Sequence, residues 1–154
     1  MLGRGQAEGT GMCGRFAMAL DPERLRRFYG LVETPRVQPR YNITPASPVG
    51  VVRPRGPHDA RRVWRELLWG LVPFWAKQPR LGRMINARAE TVASKPAFRA
   101  AFRYRRCVLP ASGFYEWRRP PGGGPKQPYY FTAANDEPLS MAGLWERWQG
   151  EDGS

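Results

Sequence analysis

Val49-Gly-Val-Val-Arg-Pro-Arg-Gly-Pro-His-Asp-Ala-Arg-Arg-Val-Trp-Arg-Glu-Leu-Leu-Trp69 reads as two strands meeting at a turn. Val49–Arg53 and Arg61–Trp69 are rich in β-branched and aromatic residues, and Arg55-Gly-Pro-His-Asp59 supplies the Pro/Gly break between them. The same signals recur on both sides. Cys13–Leu20 reads as a strand upstream, and Met84–Val92, Cys107–Leu109, Phe114–Arg118, Tyr129–Thr132 and Leu139–Trp148 follow downstream. Helical signals are few. Asp21-Pro22-Glu23 provides an N-cap, a first-position proline and an acid in the first turn. Leu25, Phe28 and Tyr29 form the expected buried side of that helix, and Gly30 stops it. Ser94 is placed to cap a second helix over Lys95–Phe102, whereas proline-rich 33–48 reads as ordered loop. The expected fold is α+β: a mostly antiparallel, barrel-like β core with two or more short helices.

Composition agrees with one folded domain. The chain has 154 residues, is 42% hydrophobic and carries 17 Gly and 16 Pro, enough apolar matter for a core and enough breakers for many loops. No run approaches the ~18 apolar residues of a membrane span. Residues 1–11, with four glycines and no apolar stretch, read as a flexible extension or a misassigned start. The expectation is a cytoplasmic protein with no membrane association, acting as a monomer.

Two cysteines and one histidine exclude several chemistries. Cys13 and Cys107 stand apart with no histidine beside them, so no Cys/His metal site and no cofactor is expected. His58 lies in a turn and reads as a solvated loop residue. Gly122-Gly-Gly124 precedes Pro-Lys-Gln, not Lys-Ser/Thr, and is a hairpin loop, not a phosphate cradle. The formal charge is +12, and 22 of the 25 cations are arginine. Arg beside aromatics at Trp64-Arg65, Phe98-Arg99 and Phe102-Arg-Tyr-Arg-Arg106 suits single-stranded nucleic acid, because guanidinium forks onto phosphate while rings stack on bases.

Strand alternation sorts the polar residues. Asn86, Arg88 and Glu90 are expected on one face of Met84–Val92. In Gly113-Phe-Tyr-Glu-Trp-Arg118, Tyr115 and Trp117 are expected to enter the core, leaving Phe114, Glu116 and Arg118 together. Cys13 and Arg15 are expected on one side of the first strand and Phe16 on the other. Each polar face is a candidate wall of a common cleft.

Six motifs then occur in order: Met12-Cys-Gly-Arg-Phe-Ala17, Arg40-Tyr-Asn-Ile-Thr-Pro45, Trp69-Gly-Leu-Val-Pro-Phe-Trp75, Ile85-Asn-Ala-Arg-Ala-Glu-Thr91, Gly113-Phe-Tyr-Glu-Trp117 and Met141-Ala-Gly-Leu-Trp-Glu146. Through them, from Met12 to about Trp148, the chain resembles the SOS response-associated peptidase family, the abasic-site processing proteins. The resemblance implies an enzyme that exposes an N-terminal cysteine and attacks the ring-opened aldehyde of an abasic site in single-stranded DNA. The amine forms an imine, the thiol closes a thiazolidine, and the protein remains crosslinked to the lesion. It further implies a peptidase that removes its own leader, association with the nucleoid when DNA is bound, and a role in the SOS response to DNA damage.

Carried onto this chain, the resemblance gives catalytic roles to Cys13 (nucleophile), Glu116 (acid/base) and Asn86 (positioning amide). It gives DNA-contacting roles to Arg15, Arg88, Asn42, Pro45 and Trp75. Arg15 is expected to favour the Cys13 thiolate. Two departures accompany the match. Twelve residues precede Cys13, so either translation begins at Met12 or a leader is cleaved. The sequence also stops short of the family's C-terminal part and its catalytic histidine, so residues 12–154 read as an SRAP domain lacking that part. Two other readings compete: a non-catalytic single-stranded nucleic-acid-binding module, and a thiol peptidase, for which no histidine is available to activate the thiol.

Overall fold

The computed structural model describes residues 13–149; the expected extension over 1–11, and Met12, lie outside the described residues. The elements run β1 (Phe16–Met18), α1 (Pro22–Tyr29), β2 (Arg40–Ile43), β3 (Pro48–Gly56), β4 (Asp59–Leu68), α2 (Arg99–Tyr104), β5 (Arg106–Ala111), β6 (Gly113–Arg118), β7 (Gln127–Phe131) and β8 (Leu139–Leu144). The α+β reading holds. The strands form two antiparallel four-stranded sheets, β2-β1-β6-β7 and β4-β3-β5-β8, which do not close into one continuous barrel.

The hairpin that opened the sequence reading is the longest pairing. β3 and β4 run in register from Pro48↔Leu68 to Gly56↔Asp59, with a bulge near Pro54, where the ring removes a ladder donor. The chain then crosses between sheets at Ser112. β5 pairs β3 and β8, β6 pairs β1 and β7, and the Ser112 N–H bonds to the Ala17 carbonyl at 2.8 Å. Phe16, Met18, Leu25, Tyr29, Val51 and Trp69 belong to the shared core. Burial of each large apolar side chain there stabilises the fold by about 1.5–3 kcal/mol.

Helix α1 forms as its signals require. Asp21 Oδ1 accepts from the Arg24 N–H at 2.8 Å, Pro22 occupies the first turn, and Gly30 ends the helix at φ 62°. Leu25 and Tyr29 are buried, but Phe28 is 43% exposed, its ring edge-on to Tyr29.

Four expectations need correction. Residues 84–92 are not a strand: their backbone bonds go to loops, with Leu71 N–H donating to the Met84 carbonyl and Thr91 and Val92 N–H to Arg88. No strand lies alongside to receive a ladder. The second helix starts at Arg99, not Lys95. Ser94 Oγ donates back to the Thr91 carbonyl and so caps no helix, and overlapping turns run through Pro96, which has no N–H to give. The proline-rich stretch 33–48 contains β2, an edge strand, where prolines on either side do no harm. Finally, Tyr115 and Trp117 do not enter the core. Phe114 packs against the core and stacks on Phe131, whereas Trp117 is 40% exposed.

Candidate functional site

Three segments distant in sequence meet at Cys13. Strand β1 pairs β6 with Phe16↔Phe114 and Ala17↔Gly113, and the Tyr115 N–H bonds to the Arg15 carbonyl at 2.9 Å. Running that register back along the chain sets Gly14 opposite Glu116, and the Glu116 carboxylate is close enough to act on the neighbouring Cys13 thiol. From the other side comes the irregular segment 84–88. The Trp69 indole N–H holds it by donating to the Ile85 carbonyl at 2.9 Å, and the Trp69 ring meets Phe16 edge-on at 5.3 Å. Asn86 is the next residue, and its Nδ2 donates to the Cys13 carbonyl at 2.8 Å. The loop preceding Asn86 is drawn in by a close backbone approach. Gly70, at φ 138°, lies so near the Gly82 nitrogen that a Cβ would sit 2.7 Å from it.

The Cys13 thiol is half-buried and donates to the Arg15 carbonyl at 3.3 Å. Burial pushes its pKa up and the Glu116 carboxylate adds to the rise, while the Arg15 backbone N–H, which favours the thiolate, opposes them. The net rise corrects the expectation that the charge of Arg15 would favour a thiolate. The Arg15 guanidinium has turned to the outer face of the sheet, 5.6 Å from the Trp117 ring centroid. Cys13 and Phe16 instead line one cavity together, so the expected grouping of Cys13 with Arg15 also fails. Cys13 precedes β1, and alternation does not govern it. The cavity holds about 670 Å³; Asn86, Trp69, Ile85 and Cys107 also line it. Cys107 is buried there, its pKa pushed up to about 11 by burial, an inert thiol.

The remaining candidates form a looser rim. Arg88 is exposed at the start of a turn, and Glu90 is exposed beyond it. Asn42 is exposed on edge strand β2, and Pro45 is half-buried in the turn that follows. Trp75 is 57% exposed in the loop between β4 and Asn86. Cys13, Asn86 and Glu116 therefore converge, whereas among the described residues no hydrogen bond joins Arg88, Asn42, Pro45 or Trp75 to Cys13. Sequence reasoning gave no site role to Trp69, which fixes the Asn86 segment, or to Trp117, which carries Arg15. The clue to Trp69 was an aromatic residue ending a long strand; the clue to Trp117 was its place two residues beyond Tyr115. His58 is exposed. Among the described residues no three His, Cys, Asp or Glu side chains stand together as a metal site, and no helix is long and apolar enough to cross a membrane.

These features define a two-sheet α+β protein with a cysteine-centred cleft. The chain belongs to the SOS response associated peptidase (SRAP) family, whose pattern matches residues 12–154. It is 36% identical over 149 residues to abasic site processing protein YoaM of Bacillus subtilis, a match covering 92% of this chain and 63% of the relative. It is 34% identical to abasic site processing protein HMCES of Gallus gallus, over 92% of this chain and 54% of that one. The chain thus spans less than two thirds of the length of these relatives. Among solved structures, a protein from Bacteroides thetaiotaomicron superposes with a TM-score of 0.75 at 25% identity, covering 92% of this chain and 64% of the other. One from Bordetella bronchiseptica does so with a TM-score of 0.74 at 26% identity, covering 92% and 67%.

Proposed function

We propose that this protein processes abasic sites in single-stranded DNA through Cys13. The observation that carries the reading is the convergence of Asn86 and Glu116 on that one residue, with Asn86 bonded to its carbonyl at 2.8 Å. The amine must first be freed, by removal of Met12 or by hydrolysis of the peptide bond preceding Cys13, the family's peptidase step. A terminal amine with a pKa of ~7.7–8 is substantially unprotonated near neutrality. It adds to the sugar aldehyde and expels water, giving an imine. The thiol then adds across the C=N bond; sulfur bonds to carbon and the thiol proton passes to nitrogen. The five-membered ring is a thiazolidine.

A protonated thiol suits this order of events, because it leaves the amine as the first nucleophile. Glu116 is the proton carrier for ring opening and imine formation, since it is the carboxylate whose field reaches Cys13. Asn86 holds the Cys13 backbone, and with it the amine, in place. Arg15, Arg88, Asn42, Pro45 and Trp75 would contact the strand around the lesion. Protein beginning at Cys13, mixed with an abasic oligonucleotide, is expected to give a heat-stable adduct with a mass equal to the sum of the partners less one water. Cys13→Ala is expected to give none. A full yield of stable adduct from Cys13→Ala would overturn the reading, as would an equal yield from protein whose adduct, by mass, still carries the residues before Cys13.

A further inference from the structure

Helix α2 turns two unlike faces. Phe98 and Ala101 are buried, while Arg99, Phe102 and Arg103 share one exposed stripe of the helix and Arg106, the first residue of β5, is exposed just beyond it. The stripe borders an open depression of about 710 Å³, also flanked by Tyr104. Tyr104 is 68% exposed and Phe102 40%, and the Arg103 guanidinium lies over the Tyr104 ring at 5.2 Å. The charge here is uncompensated. Arg105 is held by Glu146 at 2.7 Å, but Arg99, Arg103 and Arg106 form no ion pair among the described residues. Like charges three and four residues apart destabilise a helix, and nothing in the packing of α2 requires them.

We propose that this stripe is a second contact for single-stranded nucleic acid, holding the flank of a strand whose reacting nucleotide lies at Cys13. Placement supports the link. Phe102 and Arg106 form part of the wall of both this depression and the cavity lined by Cys13, so the two concavities adjoin. The chemistry selects the partner. Guanidinium groups match phosphates, and exposed rings match the faces of unpaired bases, which a duplex hides and an acidic peptide lacks. The proposal rests on the reading of Cys13 for its register along the strand.

The test uses protein beginning at Cys13 and unmodified homopolymer DNA of about 4 and about 16 nucleotides, spanning the site sizes common for single-strand binders. The parent is expected to prefer the longer strand. The variant R99A/R103A is expected to lose that preference, with the slope of log affinity against log salt falling by about 1.4, since each phosphate contact on a single strand contributes ~0.7. The variant Y104A is expected to weaken binding of the longer strand about tenfold while leaving the slope unchanged. Adduct formation on an abasic strand of the shorter length is expected to be normal in both, which separates failure here from failure of the Cys13 reading. Arg103→Ala alone, the mildest change, should lower the slope by ~0.7. An unaltered length preference in R99A/R103A, or an unaltered slope in Arg103→Ala, would overturn the proposal. So would polyglutamate or phosphatidylserine vesicles competing better than DNA for the arginine stripe.

Discussion

Cys13 and Cys107 line one cavity, yet their surroundings assign them opposite duties. Cys107 is buried on β5 with its pKa pushed up to about 11, and Cys13 is half-open with a milder rise in which Glu116 takes part. Removing the Glu116 charge removes one contribution that raises the thiol's pKa, so Glu116→Gln is expected to shift the pH profile of Cys13 alkylation to lower pH. Iodoacetamide labelling followed by peptide mass spectrometry measures it, with Cys107 as the unreactive internal control. Adduct formation should slow in the same variant while binding of intact DNA stays near normal, because a proton carrier is lost and a phosphate contact is not. An unmoved alkylation profile would place Glu116 outside the field of Cys13. At this scale the sequence pointed to three side chains that the fold brings together, Cys13, Asn86 and Glu116, and was a poor guide to how their neighbours are turned. Charge near Cys13 was readable, but the direction of the Arg15 side chain was not, since Trp117 draws it to the outer face.

The elements were legible wherever pattern and punctuation agreed. The hairpin β3–β4 had both, and helix α1 had a cap at each end. Asp21→Ala is expected to cost about 1 kcal/mol of stability through loss of the bond to the Arg24 N–H, measured by urea unfolding. Alternation alone misled twice. Residues 84–92 alternate well, but a strand needs a neighbour, and the partners of this segment are the Trp69 indole, Leu71 and Cys13. In β6 the period was right and the phase wrong: aromatics occupy both faces of Phe114–Trp117, so hydrophobicity could not say which face is inward. Pairing settles it, because Phe114 stacks on Phe131 across β7. The irregular run that carries Asn86 is the more telling case, because the bonds from Trp69 and to Cys13 that bend it are tertiary and leave no mark in the local pattern.

The whole molecule is defined by charge as much as by fold. With a formal charge of +12, affinity for single-stranded DNA is expected to fall steeply as salt rises, and Arg15→Ala or Arg88→Ala should each flatten the slope by ~0.7. Titrations at several salt concentrations measure this; an affinity indifferent to salt would exclude a phosphate-led interface. On the proposed function, the convergence on Cys13 would set where such a strand reacts, and the arginines spread over both sheets and α2 would speed its arrival. One arginine has a further consequence. Arg15 lies over an indole that is itself one residue from Glu116, so a polyanion that pulls the guanidinium away also changes the electric field on the ring. Trp117 is thereby expected to report strand arrival by its fluorescence, and a Trp117→Phe difference spectrum would isolate its light from that of the other five tryptophans.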